Sequence, residues 1–145
     1  MYQKQIRRLS EYEIPVALDL AWRVFSEYES PDYSDEGTEG YLYGIDYIGV
    51  FYGQKLIGLI GIRTGLEHIC FFFVDGQYHR KGVGTKMFDY LLENYKGNII
   101  TVNSSPYGLG FYKKLGFVPT EEEKTINGIR FTPMIYERKS NGSDL

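Results

Sequence analysis

The chain has 145 residues, of which 43% are hydrophobic and 24% are charged, and its formal net charge is −3 at pH 7. This length and composition are typical of one globular domain with an apolar core and leave no room for a second full domain. The acidic balance argues against a general nucleic-acid binder, because affinity for phosphate chains comes mainly from clustered Lys and Arg. We predict a single domain over 1–139 and a polar tail over 140–145 that frays.

Cys70 is the only cysteine, which excludes an intramolecular disulfide and argues against a thiolate metal site. At the amino terminus, Lys4, Arg7 and Arg8 interrupt the apolar residues, so no run reaches the length of a signal or membrane segment. We therefore expect a cytoplasmic protein without a metal and without a nucleic-acid or membrane partner, either a monomer or a homodimer.

The first half of the chain alternates a strand, a helix and a hairpin. A strand is predicted over 4–9, and apolar residues at helical spacing after Ser10 predict a helix that ends near Tyr28. The polar, turn-rich segment 30–44 has room for a short second helix over 35–43. Two β-rich segments then predict an antiparallel hairpin over 47–52 and 56–63.

The second half of the chain begins with an apolar run over 68–74, which is typical of a strand in the middle of a sheet covered on both faces. Helices are predicted over 82–95 and from Ser105-Pro106 to Gly116, because each has an apolar stripe or capping residues at its ends. Further short strands are predicted over 99–102, 117–119 and 131–136. The order of elements indicates a mixed α/β sheet domain.

The turn after the apolar strand reads His79-Arg80-Lys81-Gly82-Val83-Gly84 and leads into a helix. A helix amino terminus presents unpaired N–H groups and partial positive charge, and glycines let an anion approach the backbone closely. Arg80, Lys81 and Lys86 add positive charge to a chain that is acidic overall. The pattern favours a phosphate-bearing ligand, although glycines at such a turn can also serve backbone geometry alone.

Two familiar phosphate-binding patterns do not fit this turn. The sequence contains no Gly-x-x-x-x-Gly-Lys-Ser/Thr, and Met87 stands where the dinucleotide fingerprint needs its third glycine. A nucleotide-binding regulator is therefore the weaker hypothesis.

The turn resembles the Gln/Arg-x-x-Gly-x-Gly/Ala signature of the GNAT superfamily of N-acetyltransferases, with His79 at the first position in place of Gln or Arg. A second block, Asn103 followed by the Phe-Tyr-x-x-Leu-Gly-Phe run 111–117, is similar to a second pattern of the same family. The resemblance extends over 4–136. It implies an α/β (α+β) fold with a largely antiparallel central sheet of six to seven strands, about four flanking helices and a splayed cleft between two central parallel strands.

The resemblance also implies that acetyl-CoA binds in this cleft as a co-substrate, its pantetheine arm pairing with the backbone of Phe72, Phe73 and Val74. The other residues implied in cofactor binding are His79, Arg80, Lys81, Gly82, Val83, Gly84, Thr85, Asn103 and Tyr112. The implied activity is acetyl transfer to a primary amine of a small molecule or peptide, by direct attack in a ternary complex. A non-catalytic acyl-CoA-binding sensor of the same fold is the alternative.

Attack of an amine on a thioester requires a neutral amine, a stabilised oxyanion and a proton for the departing thiolate. A backbone N–H near Phe73 or Val74 is the predicted oxyanion donor. Tyr112 matches the family's tyrosine and is the predicted proton donor, since a phenol stays protonated at neutral pH. For the base, His68 occupies the position where several family members carry a glutamate, Glu67 is the adjacent alternative on the opposite face of the strand, and water is a third.

The segment between Arg23 and Lys55 contains seven acidic residues and no Lys or Arg, and it corresponds to the acceptor-side region of the family. One interpretation is that it attracts a cationic amine such as a polyamine, an aminoglycoside-like compound or a lysine side chain. The other is a solvated acidic loop that serves solubility only.

Overall fold

The structure, a computed structural model, describes residues 4–28, 45–63, 65 and 67–138. Within these ranges the strands are β1 (Lys4–Arg8), β2 (Ile45–Tyr52), β3 (Lys55–Arg63), β4 (His68–Val74), β5 (Ile99–Ser104), β6 (Val118–Pro119), β7 (Lys124–Ile126) and β8 (Ile129–Glu137). The α-helices of the same ranges are α1 (Ile14–Tyr28), α2 (Val83–Asn94) and α3 (Leu109–Leu115), and short 3₁₀ turns at Glu11–Glu13 and Gly76–Tyr78 precede the first two. No helix in this part of the chain has the length and apolar character needed to cross a membrane.

The strands form one mixed sheet in the order β1-β2-β3-β4-β5-β8-β6, with β7 paired to β8. All of these pairs are antiparallel except β4 with β5, which run parallel at the centre. The predicted fold class is therefore confirmed, including the central position of the apolar strand. Over the described residues the sheet has eight strands, one more than the upper end of the expected range.

The sheet separates two apolar cores. Against α2 and α3, the core includes Ile60, Met87, Phe88, Leu91 and Phe117. Against α1, it includes Ala17, Leu20, Leu59, Phe71 and Phe73. Because both faces of β4 are covered in this way, its sequence is apolar throughout and does not alternate with polar residues.

A β-bulge divides β4 into two parts. Ile62 of β3 pairs with Ile69 and Gly61 pairs with Phe71, which leaves Cys70 as an extra residue on β4. A bulge shifts the alternation of side chains by one position. As a result, Ile69 and Phe72 both belong to the core under α2 and α3, whereas Phe71 belongs to the core under α1.

Two elements differ from the sequence-based expectations. The predicted start of the third helix at Ser105 is wrong: Ser105 Oγ accepts a hydrogen bond from the Gly108 N–H at 3.0 Å in a separate turn, and α3 begins only at Leu109. Gly108 and Gly110 lower the helix propensity of this stretch, which explains the later start. The β7–β8 hairpin was not predicted, although Asn127-Gly128, with φ of 53° and 80°, is the preferred sequence for its two-residue turn.

Other predictions lie outside the described residues. They are the short helix over 35–43, most of the acidic segment and the tail over 140–145.

Candidate active site

The parallel strands β4 and β5 separate almost as soon as they have paired. Their register contains only His68 with Thr101 and Ile69 with Val102, although β4 continues to Val74 and β5 to Ser104. The space between them opens toward the carboxyl ends of both strands. A pocket in this cleft is lined by Ile69, Cys70, Phe72, Phe73, Val102, Asn103, Ser105 and Tyr112.

The peptide groups that face the cleft follow from the pairing of β4 with β3. The Asp75 N–H donates to the Ile57 carbonyl at 2.8 Å, so the Asp75 peptide groups point toward β3. Backbone directions alternate along an antiparallel strand, so Phe73 also points toward β3 while Phe72 and Val74 point toward the cleft. This geometry corrects the expectation that all three residues offer backbone groups to a ligand in the cleft.

The turn before α2 has the features of an anion cradle. Gly82 is the N-cap of the helix with φ 79°, and a Cβ placed on it would meet no atom within 4 Å, so open space lies in front of the helix. The N–H groups of the first helical turn have no partner within the helix. Arg80, Lys81 and Lys86 are exposed nearby, together with Thr85. A negatively charged group such as a pyrophosphate fits this arrangement.

Gly84, the second glycine of the turn, is explained by helix packing and not by an anion. Gly84 is buried, and a Cβ on it would lie 2.6 Å from Cζ of Phe111 on α3. Gly84 thus lets α2 and α3 approach each other closely. Val83 is also buried, so only its backbone can face a ligand at the turn.

His79 connects this turn to both sides of the cleft. Its Nε2 lies 2.6 Å from the carbonyl oxygen of Val74, and its Nδ1 lies 3.3 Å from the hydroxyl of Tyr107 in the turn before α3. A carbonyl oxygen can only accept a hydrogen bond, so Nε2 carries the proton. The imidazole therefore ties the turn to the end of β4, at the position where the family signature has Gln or Arg.

Tyr112 and Asn103 lie at the opposite wall of the cleft. Tyr112 comes from α3, is 8% exposed, and packs edge-on against Phe72 with ring centroids 5.8 Å apart. Asn103 is exposed on β5. The structure thus brings Tyr112 and Asn103 together with the cleft-facing part of β4, as the two sequence blocks had suggested.

His68 lies at the vertex of the cleft. Its Nδ1 is 2.8 Å from Oγ1 of Thr101, and its side chain is half-buried. Burial lowers the pKa of the imidazole below its ordinary value of 6.5, and the positive charge of Arg63 lowers it further. His68 is therefore a neutral imidazole at physiological pH.

Cys70 lines the pocket at the end nearest the vertex. Burial raises the pKa of its thiol, while the nearby Arg63 acts in the opposite direction. A thiol in this state is a poor nucleophile. This agrees with a packing role at the bulge.

Glu67 does not reach the cleft. Its backbone has φ 51°, and its Cγ would lie 2.9 Å from a Cβ on Gly97, in the connection between α2 and β5. Its Oε2 is buried and has no hydrogen-bond partner among the described residues. Because the left-handed backbone at this position turns the side chain toward the amino end of β5, the structure separates Glu67 from Tyr112, and we do not retain it as a base.

Sequence reasoning missed three residues of this region: Thr101, Tyr107 and Arg63. Thr101 could have been noticed, because it is a polar residue within the apolar run Ile99–Val102. Arg63 and Tyr107 act through contacts between distant segments, for which the sequence carries no local pattern.

Comparison with known proteins gives the family. The sequence model of the acetyltransferase (GNAT) domain matches residues 21–138. The chain belongs to the GNAT acetyltransferase family. Its members transfer acetyl groups from acyl-CoA. No curated protein matches this GNAT domain significantly by sequence.

Solved structures share the GNAT fold over nearly the whole chain. A GCN5-related N-acetyltransferase from Rhodopseudomonas palustris is 22% identical with a TM-score of 0.74, over 94% of this chain and 97% of its own. The ribosomal-protein-S18-alanine N-acetyltransferase from Escherichia coli is 16% identical with a TM-score of 0.72, over 99% of both chains. The PaiA N-acetyltransferase from Thermoplasma acidophilum, solved with coenzyme A, is 17% identical with a TM-score of 0.67, over 93% of this chain and 99% of its own.

Proposed function

We propose that this GNAT domain is an acetyl-CoA-dependent N-acetyltransferase that acetylates a primary amine of a small molecule or peptide in a ternary complex. The observation that carries the proposal is the cleft between β4 and β5. One wall offers the peptide groups of Phe72 and the N–H of Val74, whose carbonyl is bound by His79, the other wall contains Tyr112, and the anion cradle lies at the start of α2.

Acetyl-CoA would be held mainly by the backbone. The first-turn amides of α2, at Val83, Gly84 and Thr85, would bind the pyrophosphate, and the side chains of Arg80 and Lys81 would add positive charge. The pantetheine arm would then run along the cleft-facing edge of β4. The coenzyme A bound to the related enzyme from Thermoplasma acidophilum supports this ligand class.

The three chemical requirements of aminolysis have candidates around the cleft. The N–H group of Phe72 or that of Val74 would stabilise the oxyanion, because a fixed backbone donor needs little reorganisation. Tyr112 would donate a proton to the departing thiolate. His68, which is neutral, would accept the proton of the amine directly or through a water molecule.

The structure describes little of the acidic segment that would favour a cationic acceptor amine. Of the seven acids in the predicted acceptor-side segment, the structure describes the side chain of Asp46, which binds Arg8 at 2.8 Å and the Tyr95 hydroxyl at 3.0 Å. These two contacts engage the Asp46 carboxylate at the start of β2, where it stabilises the fold. Attraction of a cationic amine would therefore depend on the other six acids.

The test is thiol release from acetyl-CoA in the presence of a panel of amines, amino acids and peptides. We expect Tyr112→Phe to lower kcat about 10- to 100-fold, with affinity for acetyl-CoA and thermal stability unchanged. Tyr90→Phe, on α2 and away from the cleft, is the matched control. Unchanged turnover in Tyr112→Phe would remove this residue from the mechanism, and binding of acetyl-CoA without release by any amine would favour the sensor.

A further inference from the structure

A side-chain hydrogen bond joins β4 and β5 at the point where they begin to separate. Nδ1 of His68 and Oγ1 of Thr101 are 2.8 Å apart, and the two residues are register partners. Thr101 is flanked by Ile100 and Val102, whose side chains pack in the core under α2 and α3. By strand alternation Thr101 lies on the opposite face, where a valine would satisfy packing but could not bind the imidazole.

The second nitrogen of this imidazole, Nε2, is not part of that contact. Among the described residues, none makes a hydrogen bond to Nε2 of His68. His68 shares its sheet face with Cys70, and Thr101 shares its face with Asn103, and both Cys70 and Asn103 line the cleft pocket. His68 itself does not line the pocket but adjoins Ile69, which does, so Nε2, which has no partner among the described residues, is the ring nitrogen that a molecule at this end of the cleft would meet.

A neutral imidazole has one N–H and one lone pair, and its neighbours decide which nitrogen has which. The threonine hydroxyl can donate to a lone pair or accept from an N–H. The distance of 2.8 Å fixes the contact but not its direction. Only one direction leaves a lone pair on the nitrogen that is available to the cleft.

We propose that Thr101 is a positioning residue whose Oγ1 accepts the Nδ1–H of His68, so that the lone pair of Nε2 is presented to the acceptor amine. The inference rests on the proposed function. As the amine nitrogen bonds to the acetyl carbon, its proton moves to Nε2 and the imidazolium keeps its Nδ1–H bond to Thr101. The carbon–sulfur bond breaks, the thiolate takes the proton of Tyr112, and the proton held by His68 returns through solvent to restore the phenol.

The chain contains its own reference for this assignment. It has two histidines, and in His79 the Val74 carbonyl requires the proton on Nε2. The proposal thus predicts opposite tautomers in one protein: Nδ1–H at His68 and Nε2–H at His79.

The first experiment reads the tautomers directly. Protein labelled with 15N in its imidazole rings is measured by NMR at pH 7.5, and the His79→Gln variant assigns the two rings. We expect the pattern of an Nδ1–H tautomer for His68. An Nε2–H pattern at His68 overturns the proposal whatever the activity of the enzyme, so this measurement is independent of the acceptor and of the proposed function.

The second experiment separates positioning from packing. Thr101→Val keeps the shape of the side chain, and we expect it to lower kcat about tenfold with the KM for acetyl-CoA unchanged, while Thr101→Ser restores turnover. In a His68→Gln background, Thr101→Val should have no further effect. Loss of turnover that serine does not restore, or an undiminished effect in the His68→Gln background, contradicts the proposal.

Control measurements distinguish the possible failures. Equal melting temperatures of the Thr101 variants show that the fold is intact. If His68→Gln retains full kcat, the assignment of the base is wrong and the role of Thr101 falls with it. If no amine is acetylated by the wild-type protein, the proposed function fails while the NMR result still stands.

Discussion

At its carboxyl end, β4 presents peptide groups to the cleft and leads into a helix whose amino terminus forms the anion cradle. At its amino end, it presents the imidazole of His68, whose orientation depends on one hydrogen bond to Thr101. The first end uses the backbone and the second uses side chains. The backbone end does not depend on the side chain at position 79 for its N–H groups, whereas the side-chain end would change its chemistry with a single methyl-for-hydroxyl replacement at Thr101.

The largest effect is expected at the backbone end for Gly84, whose role is helix packing and not ligand binding. Gly84→Ala would place a Cβ 2.6 Å from the Phe111 ring, so α2 and α3 would have to move apart. We expect a loss of about 1–3 kcal/mol in the free energy of unfolding, measured by urea denaturation. Gly110→Ala on α3 is the matched control, because its Cβ would meet no atom within 4 Å, and it should stabilise the helix by about 0.5–1 kcal/mol. Equal effects of the two variants would contradict the packing role of Gly84.

A smaller effect is expected for the first glycine of the turn. Gly82→Ala introduces no clash, but its φ of 79° is left-handed, which costs an alanine about 1 kcal/mol of stability. The added methyl group would also occupy the open space in front of the helix. We therefore expect weaker binding of acetyl-CoA by isothermal titration in Gly82→Ala, and a variant that loses stability but keeps full affinity would place the phosphates elsewhere.

A still smaller effect is expected for Arg80, where replacement changes both the charge of the cradle and the backbone conformation of the turn. Arg80 has φ 62°, so Arg80→Gly removes a cation from the cradle and also relieves left-handed strain. The relief is offset by the greater freedom of the unfolded chain, and we expect stability to change by less than about 0.5 kcal/mol. Affinity for acetyl-CoA should fall about two- to fivefold at low salt and by less at high salt, because the lost interaction is an exposed one. A loss that is equally large at high salt would indicate a conformational cause.

The sequence predicts the backbone end of the site well because that end depends on local patterns. The apolar run over 68–74 indicates a central strand, and Gly82 marks the start of α2 within one residue. The β-bulge at Cys70 is not visible in the sequence, because it arises from the pairing of β4 with β3. The bulge changes which side chains share a face, whereas the exclusion of Phe73 from the cleft-facing peptide groups follows from the alternation of backbone directions along the strand.

The side-chain end is less predictable because its residues meet across strands. His68 and Glu67 are adjacent in sequence, and alternation alone leaves the choice between them open. The structure separates them through the positive φ of Glu67, which directs this side chain toward Gly97. The partner of His68 comes from a strand more than thirty residues further along, and a single hydroxyl in an apolar strand gives only a weak signal.

The smallest expected effect is a shift in pH dependence caused by Arg63, the register partner of His68 on β3. Among the described residues, Arg63 is the charged group that shifts the pKa of His68, while Thr101 on β5 is uncharged and burial raises the pKa of the Cys70 thiol on the same face. A base must be deprotonated, so kcat should fall on the acidic side as His68 gains a proton, below pH 6.5 because the pKa of His68 is lowered. Arg63→Gln removes a positive charge that opposes this proton.

The pKa of His68 should therefore rise in Arg63→Gln, and the acidic limb of kcat should move to higher pH. Burial is the larger cause of the lowered pKa and is unchanged, so the limb should still lie below that of an ordinary histidine. Rates near pH 8 should be equal in both proteins. Arg130→Gln on β8, which removes an exposed ion pair with Glu123 at 3.1 Å, is the matched control and should leave the profile unchanged. A limb that stays in place in Arg63→Gln would mean that a group other than His68 accepts the proton, and the side-chain end of β4 would then have no part in the chemistry.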